Sequence, residues 1–151
     1  MRHLRRSPAS NFKRILAYLI DTIPIQMMLY LVSMEVFHVS PLIDEDASHA
    51  MQVATFNARM LIAAGTLLIW ILYCIVGELS PLKGTFGKKI MGIAVQSAKG
   101  GPLGAGQIIG RNFAKILSAI PCYLGFMAAF ISNGRRAWHD TLSGASVVER
   151  R

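Results

Sequence analysis

Negative charge is scarce in this sequence. Eight acidic residues stand against sixteen basic ones, and charged residues of both signs make up only 16% of the 151. A soluble domain of this size carries about 25%. The shortfall excludes an ordinary water-facing surface and makes lipid part of the solvent. Cysteine is nearly absent as well. Cys74 and Cys122 both fall in apolar runs, and neither has a second Cys or a His at metal-ligand spacing. They read as packing residues, and no metal site is expected. Repeats, low-complexity segments and paired carboxylate sites are missing, as is a Ser-His-Asp order, so an enzyme is not expected and no cofactor is implied.

Hydrophobic residues supply 53% of the chain, and the net charge is +8. In a soluble protein that excess would suggest nucleic acid. Here the cations flank long apolar runs, which suits anionic lipid head groups and not nucleic acid.

The first apolar run, Ile15 to Phe37, is long enough to span a core of about 30 Å with some tilt. Asp21, Pro24, Gln26, Ser33 and Glu35 interrupt it. Asp21 lies in the would-be apolar core and no A-x-A site follows, so a retained helix is expected and not a signal peptide. The second run, Met60 to Val76, holds no charge, and Trp70 and Tyr73 stand where an aromatic belt would lie. In the third region Gln107, Arg111, Lys115 and Ser118 share one helix face. An apolar stretch from Ile116 to Ile131, broken by Pro121, follows. It reads as a surface helix leading into a short span, or as two half-helices entering and leaving on one side.

The Lys/Arg bias assigns the N-terminus (Arg2, Arg5, Arg6, Lys13, Arg14) and the 80–105 segment to the cytoplasm. The acidic loop with Asp44, Glu45 and Asp46, together with His38, His49 and Arg59, then faces outward as a solvated loop. Arg135, Arg136, Arg150 and Arg151 favour a tail inside, with the third region re-entrant or broken. The expected fold is an all-α membrane protein. It has two transmembrane helices, a third Pro-interrupted or re-entrant helical region, and short amphipathic cytoplasmic segments. Residues 1–11 form a basic N-terminus and 12–151 the membrane domain.

Asp21 is the most informative residue. A mid-membrane aspartate costs about 2.5–3.5 kcal/mol, so it needs a partner or a proton. It is either an ion or proton site, or half of a buried pair that locks helices together. Arg14, two helical turns earlier, points the same way, but about 10 Å off along the axis. The segment Gly84 to Gly92, GTFGKKIMG, misses the phosphate-loop spacing, and Gly104, Gly106 and Gly110 miss the dinucleotide spacing by one residue. Gly106 and Gly110 do have helix-packing spacing. Lys83, Lys88 and Lys89, with Arg135 and Arg136, are expected to form a basic surface toward lipid head groups. Trp138 suits the interface after an Asn133-Gly134 turn, and His139 beside Asp140 reads as surface anchoring more readily than as a proton relay.

Arg14-Ile-Leu-Ala17-Tyr-Leu-Ile-Asp21 resembles the opening pattern R-x-x-A-x-x-x-D of the RDD family of membrane proteins. Gly84-Thr85-Phe86-Gly87-Lys88-Lys89, followed by Gly92-Ile93-Ala94-Val95, is similar to that family's G-T-x-G-K-x stretch. Arg111 falls where members carry an arginine. The tail Arg135-Arg136-Ala-Trp-His139-Asp140 through Val148 resembles the family ending, with Ser146 where Thr is commoner. The resemblance implies a helical membrane domain in a bacterial-type inner (plasma) membrane. It implies Arg14, Asp21, Arg111 and Asp140 as the charged site, Asp140 being the second aspartate of the name. Two activities are compatible with it. One is a small transporter or cation–proton exchanger working as a homo-oligomer. The other is a non-transporting interaction or assembly protein that binds another membrane protein or anionic lipid.

Overall fold

A computed structural model describes residues 7–37, 47–119, 124–132 and 134–150. Arg2, Arg5, Arg6, His38, Asp44, Glu45, Asp46, Pro121, Cys122, Asn133 and Arg151 lie outside the described residues, and so do the expectations that concern them. The chain is mostly helical. Helix α1 runs Asn11–Phe37 and α2 runs His49–Leu79. Within them, Asn11–Glu35 and His49–Leu79 are long and apolar enough to cross a membrane, with mean hydropathy of 1.7 and 2.3. Both helices begin before their apolar runs do. Helix α2 can start at His49 because residues 49–59 contain no Gly or Pro to stop it. His49 and Arg59 are therefore helical and do not belong to an outer loop.

Beyond α2 come α3 (Phe86–Ile90), β1 (Ile93–Ser97), α4 (Ala105–Ala119), α5 (Leu124–Ile131), α6 (Trp138–Leu142) and β2 (Ala145–Glu149). The two strands correct the all-α expectation. They pair antiparallel, with Val95 opposite Val147. Each follows a glycine in the left-handed region, Gly92 and Gly144, and each is rich in Val, Ile and Ala. The other edge of β2 is also used. The Ala9 N–H donates to the Val147 carbonyl, and the Glu149 N–H to that of Ser7. Residues 7–9, placed by the sequence reading in a separate basic segment, thus line β2.

The chain divides into two compact units. One joins the described residues of Met1–Asp21 to those of Ile71–Arg151; the other is Thr22–Trp70. In the second unit large apolar side chains such as Ile23, Met27, Leu31, Phe56, Leu61 and Leu68 are exposed, as lipid-facing helices require. In the first, a small apolar core of Ala9, Ala17, Ile93, Val95, Ala145 and Val147 lies around the strands.

Helix α4 in that unit is inverted relative to a soluble amphipathic helix. Its buried residues include Arg111, Asn112 and Ser118, while Ile109, Phe113 and Leu117, spaced by four, face outward. Phe86 and Ile90 on α3, and Trp138 and Leu142 on α6, repeat that outward spacing. Helices α4 and α5 meet closely at Gly125, where a Cβ would come within 2.6 Å of the Ser118 Cα.

Candidate functional site: a buried ion cluster and a capped aspartate

The polar face of α4 meets the C-terminal end of α2. Arg111, fully enclosed, uses its guanidinium in two directions. Its Nε and Nη2 donate to Asp140 Oδ1, both at 2.9 Å, and its Nη1 donates to Glu78 Oε1. Asp140 enters from α6, where its Oδ2 accepts from Arg14 Nη1 of α1 at 3.0 Å and from the Ala137 N–H at 3.3 Å. Glu78 also takes Lys88 Nζ at 2.7 Å on Oε1 and Asn112 Nδ2 at 3.1 Å on Oε2. Lys115 Nζ donates to Asn112 Oδ1 and lies 3.8 Å from Glu78 Oε1. Four helices and the α3 turn thereby supply one continuous network. A lone charge buried here would cost several kcal/mol, and pairing offsets that cost only because the remaining lone pairs are also taken.

Asp140 is nearly inaccessible. Burial alone would raise its pKa, but Arg111, His139 and Arg14 hold it well below the usual carboxylate range. The His139 ring is buried too, which corrects the expected surface role, and burial pushes its pKa down to about 3. Its Nδ1 lies 3.2 Å from Ser118 Oγ and its Nε2 lies 3.5 Å from Asp140 Oδ1. Ser118 Oγ itself donates to the Ala114 carbonyl and is fully enclosed, so the trio offers no accessible nucleophile. Trp138 does face outward.

Asp21 has a different setting. The sequence places Arg14 on the same face, but Arg14 is committed to Asp140. Asp21 Oδ1 accepts from the Tyr73 hydroxyl at 2.7 Å and the Gly87 N–H at 2.6 Å, and its Oδ2 from the Thr85 hydroxyl at 2.5 Å. The Tyr73 oxygen accepts the Phe86 N–H at 3.1 Å in turn. Asp21 and Tyr73 thus cap the first turn of α3 from outside it, satisfying N–H groups left over at a helix start. Gly87 is required for this approach. A Cβ there would lie 2.2 Å from the Ala17 carbonyl oxygen and 2.9 Å from the Asp21 carboxyl carbon.

Of the four charged residues named from sequence, Arg14, Arg111 and Asp140 come together and Asp21 does not join them. Glu78 was missed, since an acid at a helix end reads as solvated. Its one available signal was the uncharged run Met60 to Val76 ending on Gly-Glu ahead of the lysines. The expected basic surface is also divided. Lys83, Lys89 and Arg135 are exposed, but Lys88 turns inward to Glu78. Arg136 donates to the Ala145 and Asp140 carbonyls. Cys74 is buried and free. Among the described residues no group of three or more His, Cys, Asp or Glu could hold a metal ion.

The RDD family profile matches residues 8–144, which takes in every residue of the ion cluster and of the capped aspartate. The chain belongs to the RDD family. It is similar to the uncharacterized protein YxaI of Bacillus subtilis (strain 168), 34% identical over an alignment that covers 93% of this chain and 97% of that one. No solved structure matches. The RDD chain is therefore a membrane protein with two candidate spanning helices, and its Arg14 and Asp140 meet as an ion pair.

Proposed function

We propose that this RDD protein is a non-transporting membrane interaction or assembly protein, whose buried charges hold a small unit at the membrane surface. The observation that carries this reading is saturation. Glu78 and Asp140 each meet at least two cations, and Asp21 meets three neutral donors, so the acids serve to join α1, α2, α3, α4 and α6. The outward apolar residues of α3, α4 and α6 suit immersion in the head-group layer beside a partner. We assign the bacterial inner membrane, two crossings, and a cytoplasmic side for the N-terminus, the 80–105 segment and the tail. In support, residues 7–9 and β1 both hydrogen-bond to β2, which suits one side of the bilayer for all three, and the Lys/Arg excess suits the inner side. Photo-crosslinking from Phe113 and Leu142 in native membranes tests the reading. A stoichiometric heterologous protein is expected, and self-contacts alone would count against it.

Cation–proton exchange is a second reading, favoured by one observation. Asp21 is a buried carboxylate whose hydrogen-bond donors carry no charge, and the Tyr73 and Thr85 hydroxyl oxygens stand beside it as further hard ligands. Two crossings cannot enclose a path, so exchange would need a homo-oligomer. Sodium and proton fluxes in proteoliposomes that vanish in Asp21→Asn would establish it and displace the first reading.

A further inference from the structure

Positive charge exceeds negative in the ion cluster. Four cations, Arg14, Lys88, Arg111 and Lys115, face two carboxylates, Glu78 and Asp140. The surplus is not spread evenly. Arg14 donates directly to Asp140, and Arg111 to both Asp140 and Glu78. Lys88 and Lys115 instead converge on a single oxygen, Glu78 Oε1, at 2.7 and 3.8 Å. Each ammonium has three N–H donors. Lys88 Nζ gives one to Glu78 and Lys115 Nζ gives one to Asn112 Oδ1. Their side chains are 16% and 19% exposed, so neither lysine is fully sealed in, although burial lowers the pKa of Lys115.

We propose that the Lys88 and Lys115 ammonium groups together seat the phosphate of an anionic phospholipid. Two adjacent ammoniums with donors to spare match a group that presents several anionic oxygens, and lysine binds phosphate as a point charge. The phosphodiester offsets one of the two surplus positive charges. Lipid is the source because the same unit turns Phe86, Ile90, Phe113 and Leu117 outward, which sets head groups and acyl chains at its surface. The seat requires only the membrane setting of the chain, not the partner reading above.

The test uses the full chain in neutral detergent, titrated with phosphatidylglycerol, phosphatidylcholine or inorganic phosphate, with binding read by native mass spectrometry and by the unfolding midpoint. Phosphatidylglycerol is expected to bind about tenfold tighter than phosphatidylcholine and to raise the midpoint. Lys88→Gln and Lys115→Gln should each weaken it about five- to tenfold, and Lys115→Arg should retain it. Lys89→Gln, an exposed cation, should change it less than about twofold at high salt, where surface charges are screened. If Lys115→Gln does not fold, Lys88→Gln carries the test. Equal losses in Lys89→Gln and in the two seat variants would overturn the seat. Equal stabilisation by millimolar inorganic phosphate would overturn lipid as its source.

Discussion

Replacing Glu78 with glutamine keeps the shape of the side chain and removes its charge from beneath three cations. Arg111 retains Asp140, but it stays enclosed with one of its two acids gone, and Lys88 loses the carboxylate to which it donates. Deleting one member of a buried ion network leaves an uncompensated charge and costs about 3–5 kcal/mol. A yardstick exists in the same unit. The Lys13–Glu149 pair is 2.8 Å long, but its side chains are 37% and 41% exposed, so Glu149→Gln should cost no more than about 1 kcal/mol. Reversible unfolding in mixed micelles, followed by circular dichroism, measures both. Because cations are in surplus, adding Lys88→Met to Glu78→Gln should recover stability and not lose more. The reasoning fails if Glu78→Gln lies within about 1 kcal/mol of Glu149→Gln, or if the double variant is less stable than the single.

Gly87→Ala should destabilise by about 1–3 kcal/mol or more, since its Cβ must displace the Ala17 carbonyl or the Asp21 carboxyl group. Gly110→Ala meets nothing within 4 Å in α4 and should be neutral or stabilising by up to about 1 kcal/mol; unfolding midpoints of the two decide. Stability should also fall with acid earlier than carboxylates require. Unfolded His139 takes a proton near pH 6.5, but folded His139 only at about 3. The unfolded state therefore binds more protons between those values, and stability drops as pH falls below 6.5, by at most about 1.4 kcal/mol per pH unit. His139→Gln should flatten that slope in a pH series of unfolding curves. The loss from Asp140 should remain, since its depressed pKa contributes stability present above its ordinary value of 3.8 and lost below it.

The sequence showed which parts of the molecule are unusual more readily than how they pair. Spacings of four, four and three placed Gln107, Arg111, Lys115 and Ser118 on one face of α4, and that face does hold the buried Arg111 and Ser118, with Lys115 half-buried and Gln107 exposed. Periodicity could not say which way the face turns. In a water-soluble helix it would point outward, and here Arg111 and Ser118 point inward. Asp21 announced itself by its cost in an apolar run. Its partners came from Tyr73 and the α3 turn, 52 and 64–66 residues away, and nothing local encodes such a distance. The strands escaped notice for the same reason. Each is five residues long, and their pairing joins segments separated by three helices.

Strand β2 lies between β1 and residues 7–9, and Asp140 just before it completes the ion cluster. Residues 7–9 leave the ribosome first, yet their hydrogen-bonding neighbour is made only after both long helices have been synthesised. Until then Arg14 and Arg111 lack Asp140, so the unit cannot close during insertion of either helix. A stop codon ahead of Asp140 would leave that closure undone, with both long apolar helices intact.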